Sequence, residues 1–109
     1  IERAMRVALE RGGVAPEDLK AVWTSQTGLS VADEAERKAI DRVFGDGVHV
    51  IAPKLRLGEP MGAGASLSTA LALKGWQEGD EEGSPKGPVL VNAVSLGGTN
   101  FSILLAPVE

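Results

Sequence analysis

The chain contains no cysteine, and that absence removes several chemistries at once. Disulfides, thiolate metal sites and a cysteine nucleophile are all excluded within these residues. Histidine is nearly absent as well: His49 is the only one, so His/Cys metal clusters and Cys–His catalysis have no basis here. An excess of positive charge is also missing. Lysine and arginine total 11 against 15 aspartates and glutamates, interspersed, for a net charge of −4, so no basic face suggests a nucleic-acid partner. No apolar run approaches the length of a membrane span, and no signal peptide is visible. The cytoplasm is the default expectation for such a chain.

What is present suits one globular domain over 1–109 with a single core: 109 residues, 43% of them hydrophobic. Ile1 to Glu10 begins directly in a helical pattern, with Ile1, Met5 and Ala8 on one face. No N-cap precedes it, and the chain reads as a piece of something longer. Gly12-Gly13 ends this helix. Pro16-Glu17-Asp18 opens a short turn of helix, and Leu19 to Thr24 reads as a buried strand. After the polar loop Ser25 to Ser30, Ser30 or Asp33 is placed to cap a helix running to Phe44, with Ala35, Ala39, Ile40 and Val43 at helical spacing.

Val48 to Ile51 reads as a short strand and Ala52 to Pro60 as a loop. A helix of small and apolar residues follows from about Gly62 to Trp76. Gly79 to Gly87 is an acidic, glycine-rich surface connection. Pro88 to Val94 and Phe101 to Ala106 are apolar strands joined by a turn with the paired glycines Gly97 and Gly98, an ordinary core hairpin on its own merits. Asn92 and Asn100 border these apolar runs and need partners if buried. The order α-β-α-β-α-β-β argues for a mostly parallel sheet packed by helices, with an antiparallel strand from the last hairpin.

Single residues carry little chemistry in isolation. His49 alternates with Val48 and Val50, the pattern of a strand histidine facing solvent or a hydrogen-bond partner rather than a catalytic base. Gly58, Gly62 and Gly64 are spaced unlike a P-loop and lack the following Lys-Ser/Thr pair, so close helix packing explains them. Lys54 and Glu59 flank a helix entry, where charged residues are ordinarily on the surface; buried together, they would have to pair.

Taken in order, these segments resemble the C-terminal half of the β-ketoacyl synthases, condensing enzymes of the thiolase fold. Ala4 to Leu19 is similar to the family's helix ending in G-[LV]-x-P-x-D. Asp33-Glu34-Ala35-Glu36 through Val43-Phe44-Gly45 resembles its D-x-x-E-x-x-A-I-x-x-V-F-G helix. Pro53-Lys54 through Gly62-Ala63-Gly64-Ala65 resembles its K-S-x-x-G-H-x-x-G-A-A-G segment. Leu96-Gly97-Gly98-Thr99-Asn100 resembles the end of its G-F-G-G-T-N loop, which borders the acyl pocket.

The departures carry the functional expectation. Active members place one histidine in an H-G-T-S-T loop and a second in the G-H segment; here those positions align to Ser25 and Glu59, while the lysine survives as Lys54. The histidines assist malonyl decarboxylation and stabilise the enolate and the oxyanion. Serine donates a hydrogen bond but does not reproduce an imidazole, and glutamate puts negative charge where negative charge develops. The resemblance therefore implies no catalytic residue here, only degenerate positions at Ser25 and Glu59, and no cofactor. It points to the chain-length factor, or KSβ, of type II polyketide synthases, which pairs with a cysteine-bearing KSα, receives chains from an acyl carrier protein and shapes the tunnel. Met61, Leu96, Gly97, Gly98, Thr99 and Asn100 are the expected pocket and gating residues, with Leu96 in place of a gating phenylalanine.

The shortened connection between Trp76 and Val89 departs from the family and leaves the subgroup open. Two other readings stand beside this one: an enzyme using Glu59, Lys54 and Ser25 as a decarboxylase or acyltransferase, and a purely structural partner. The resemblance further implies a mixed sheet whose first, central strand precedes this chain. A gap in the middle of the sheet, completed by an N-terminal portion of the same subunit or by a separate chain, is the corresponding expectation.

Overall fold

The computed structural model describes residues 1–26, 28, 30–54, 64–78, 87–94 and 99–107. Helix α1 (Glu2–Gly12) turns Met5 and Leu9 inward, with Ile1 and Ala8 packed beside them, as the periodicity requires. It stops at Gly13, whose left-handed backbone (φ 67°) lets its N–H reach Glu10 O while the Val14 N–H reaches Leu9 O. The turn Pro16–Asp18 leads through buried Leu19 into β1 (Ala21–Trp23). Helix α2 (Ser30–Phe44) buries Glu36, Ala39, Ile40 and Val43 along one stripe. Asp33 lies inside its first turn and accepts the Gly28 N–H at 2.7 Å. Strand β2 (His49–Ile51), α3 (Gly64–Glu78), β3 (Val89–Val94) and β4 (Asn100–Leu105) complete the described elements in the expected order.

The strands form one sheet in the order β2-β1-β3-β4, with β4 antiparallel to the rest. All three residues of β1 are buried, as expected of a parallel strand covered on both faces. Alternation then sorts the core. Val22 and Leu90 pack with Met5 and Leu9 of α1 and Ala39, Ile40 and Val43 of α2. Ala21, Trp23, Val89 and Val91 point to the other face, against Ala72 and Leu71 of α3. Helices on both faces make three layers. His49 is exposed on β2, the outermost strand on that side among the described residues, which is the solvent-facing one of the two strand positions read for it.

One expectation is corrected. The sheet has no opening at its middle: β1 is paired to β2 on one side and to β3 on the other, with Ala21 level with both His49 and Val89. The ladder continues beyond the strand, Lys20 N–H donating to Pro88 O at 2.8 Å and Thr24 N–H to Ile51 O at 2.8 Å. Buried main-chain groups left unpaired are costly, and two parallel strands brought side by side satisfy each other's groups. The helix expected from Gly62 to Trp76 is observed as Gly64–Glu78. Most of the Gly79–Gly87 connection and the Ser95–Gly98 turn lie outside the described residues.

Leu90 is fully buried at the centre of the α1/α2 face, whereas Val50 on β2 is 44% exposed. Leu90→Ala is expected to destabilise the fold by about 2–5 kcal/mol, and Val50→Thr by no more than about 0.5 kcal/mol. Denaturant titration of both variants checks the contrast, and equal losses would contradict the assignment of the core.

Candidate functional site

The carboxyl ends of the parallel strands converge, as ligand-bearing ends do in α/β sheets. Ser25 follows β1, Lys54 follows β2, and Val94 ends β3. Ser25 Oγ accepts hydrogen bonds from Lys54 Nζ at 3.4 Å and from the Val94 N–H at 3.3 Å. The structure therefore brings together Ser25 and Lys54, two of the residues singled out from the sequence, both outside regular strands. Ser25 is buried and Lys54 half-buried.

Beneath them lies a residue that was not singled out as a site from the sequence. Glu36 of α2 is 2% exposed, and both its carboxylate oxygens accept the Ser25 N–H, each at 3.0 Å. Asn92 of β3 donates its Nδ2 to Glu36 Oε2 at 3.1 Å and to Met5 Sδ at 3.4 Å. Ser102 Oγ of β4 donates to Asn92 Oδ1 at 2.6 Å. One polar chain thus ties α2 to the end of β1 and to both arms of the hairpin. The available signal was an acid at position i of a stripe with Ala39, Ile40 and Val43 at i+3, i+4 and i+7. A carboxylate on that stripe is either buried with partners or breaks the core.

Burial pushes the Glu36 carboxyl above its ordinary range. The Ser25 N–H and then the Asn92 amide pull it back, while nearby Asp33 adds to the rise and Lys54 offsets it. The Ser25 hydroxyl itself faces donors. Glu36 holds its main-chain N–H, and no carboxylate or imidazole acts as a base toward its Oγ among the described residues. Among the described residues this serine therefore has no carboxylate or imidazole placed to activate it as a nucleophile.

Asn92 is buried with its hydrogen-bonding groups engaged, as its position demanded, whereas Asn100 is exposed and sits opposite Val94 across the hairpin. Thr99 is exposed beside it. Glu59, Met61, Leu96, Gly97 and Gly98 lie outside the described residues. Among the described residues no group of three or more His, Cys, Asp or Glu side chains could hold a metal ion, and no helix is long and apolar enough to cross a membrane.

Fold and site together define a class. Residues 1–79 match the β-ketoacyl synthase C-terminal domain, and the chain belongs to that family. It is 46% identical over 72 residues to the tetracenomycin polyketide synthase ketoacyl synthase β subunit of Streptomyces glaucescens, a match covering 65% of this chain and 18% of that protein. It is 41% identical over 80 residues to a Streptomyces coelicolor protein named as actinorhodin polyketide β-ketoacyl synthase 2, covering 72% of this chain and 20% of the relative. The matched region spans about one fifth of the length of these curated relatives.

The Glu36 carboxyl is raised in the folded state, so the folded chain binds more protons than the unfolded chain in the interval between the two pKa values. Stability is highest below that interval and falls as pH rises through it. Glu36→Gln is expected to flatten this fall, read as denaturation midpoint against pH upward from the ordinary carboxylate range. An unchanged slope would show that another group is responsible.

Proposed function

We propose that this chain forms part of a non-catalytic, chain-length-determining β subunit of a type II polyketide synthase. In this reading it pairs with a cysteine-bearing ketosynthase α subunit in the cytoplasm and helps shape the tunnel that receives the chain from an acyl carrier protein. The rest of the fold comes from an N-terminal portion of the same subunit, and no cofactor takes part.

The observation that carries the reading is the state of Ser25. At a position where active relatives use an imidazole, its oxygen accepts from Lys54 and Val94, with no carboxylate or imidazole beside it among the described residues. Decarboxylation and oxyanion stabilisation need a group that donates strongly or exchanges a proton near neutrality. A buried serine held by donors supports a role in geometry. The match to relatives named as β subunits or second synthases points the same way. The residues acting by shape are then Met61, Leu96, Gly97 and Gly98, with Thr99 and Asn100 leading out of that loop.

In the reconstituted pair, Leu96→Ala is expected to shift products towards longer chains and Leu96→Trp towards shorter ones, read by mass spectrometry of the released polyketides. Unchanged length in both would contradict a lining role. Glu59→Gln is expected to leave turnover near the parent's. Its abolition would favour an enzyme with chemistry of its own.

A further inference from the structure

The polar chain beneath Ser25 ends on Ser102, and nothing in β4 itself asks for a hydroxyl there. The residues that follow it, Ile103, Leu104 and Leu105, are apolar. The register sets Ser102 directly across from Asn92, and Leu104 across from Leu90. Side chains two residues apart on a strand share a face, so Asn92 and Ser102 stand on the face that carries Leu90 and Leu104, the one α1 and α2 cover. Asn92 is buried on it and Ser102 half-buried.

A buried amide has two orientations, which exchange its oxygen and its nitrogen in place. Three groups surround that of Asn92: Glu36 Oε2 at 3.1 Å, Met5 Sδ at 3.4 Å and Ser102 Oγ at 2.6 Å. A carboxylate oxygen and a thioether sulfur only accept, so both call for the nitrogen and together use its two hydrogens. The hydroxyl alone can donate or accept. Its separation of 2.6 Å matches O–H···O bonds, centred at about 2.7–2.8 Å, better than N–H···O bonds, centred at about 2.9–3.0 Å. The Ser102 hydrogen therefore goes to Asn92 Oδ1. No other donor reaches that oxygen among the described residues. Reversal of the amide sets its oxygen against Glu36 and the Met5 sulfur, acceptor facing acceptor.

We propose that Ser102 is a positioning residue for the start of the loop after β1: its hydroxyl holds the Asn92 amide with Nδ2 towards α2, and so keeps the Glu36 carboxylate square to the Ser25 N–H. Both carboxylate oxygens lie 3.0 Å from the Ser25 nitrogen, so the carboxylate is centred on that N–H. Asn92 holds Oε2 alone, from the side. With the amide released, the lateral hold is lost and the carboxylate is free to turn. Ser102 acts through Asn92, since it bonds to neither Glu36 nor Ser25 among the described residues. Any consequence for the product rests on the reading above, in which Ser25 belongs to the tunnel wall; the relay of hydrogen bonds does not.

Three substitutions in the native polypeptide that contains this chain test the relay. Ser102→Ala and Ser102→Val both remove the hydroxyl, the second while filling its space with a residue suited to a strand, and Ser102→Thr keeps it. The first readout is the titration of the Glu36 carboxyl, followed by carbon NMR of carboxyl-labelled glutamate and assigned with Glu36→Gln. The Asn92 amide lowers the proton affinity of Glu36, so both variants without a hydroxyl are expected to shift this titration to higher pH, and Ser102→Thr to leave it in place. Asp33 and Lys54, the other charged groups that act on Glu36, are unaltered by any of the three. The Ser25 amide resonance is expected to move with the titration. The second readout is product length in the reconstituted pair, expected to broaden with Ser102→Ala and Ser102→Val and to be restored with Ser102→Thr. A Glu36 titration left unmoved by loss of the hydroxyl, or moved equally by Ser102→Thr, would overturn the proposal. A shifted titration with unchanged product length upholds the relay and counts instead against Ser25 as part of the tunnel wall.

Discussion

The arrangement at the strand ends depends on one buried carboxylate. An isolated charge in the position of Glu36 would be prohibitively costly, so the fold has to surround it with donors. Two groups donate to it, the Ser25 main chain after β1 and the Asn92 side chain on β3, and Ser102 on β4 in turn donates to Asn92. Satisfying Glu36 therefore sets where α2 lies, where the chain leaves β1, and how the hairpin is registered. The surface ion pairs do much less. Glu2 with Arg6 and Arg42 links α1 to α2, but these side chains are substantially exposed, and solvent screens such pairs until they contribute little.

The same constraint holds the chain in place where it leaves β1. Ser25 is held through its main chain by Glu36 and through its hydroxyl by Lys54 and Val94, so the loop keeps its place whether or not the side chain does chemistry. In the proposed reading, a serine in place of a histidine gives up proton transfer and keeps the wall that a subunit acting by shape needs.

Much of the fold was legible in the sequence because its helices carry clear stripes. Met5 and Leu9, or Ala39, Ile40 and Val43, are spaced as buried helical faces and are buried. Glycine punctuation placed the end of α1, and the apolar run ending at Val94 placed β3. The sheet was less legible. A central gap follows from family resemblance, yet main-chain hydrogen bonding joins β1 directly to β3, a pairing between residues nearly seventy positions apart that no local pattern encodes. At the site, Ser25 and Lys54 were identifiable from motif alignment. Glu36 was visible only as one letter of a motif, because its importance comes from three-dimensional donors at Ser25 and Asn92 that are distant in sequence.

The most direct measurement is native mass spectrometry of the assembly purified through this chain. The expected result is a stoichiometric complex in which the polypeptide bearing these residues is joined to a separate, cysteine-bearing ketosynthase. Recovery of the polypeptide as a lone species or only with copies of itself, while condensing activity persists, would contradict a partnered, non-catalytic subunit.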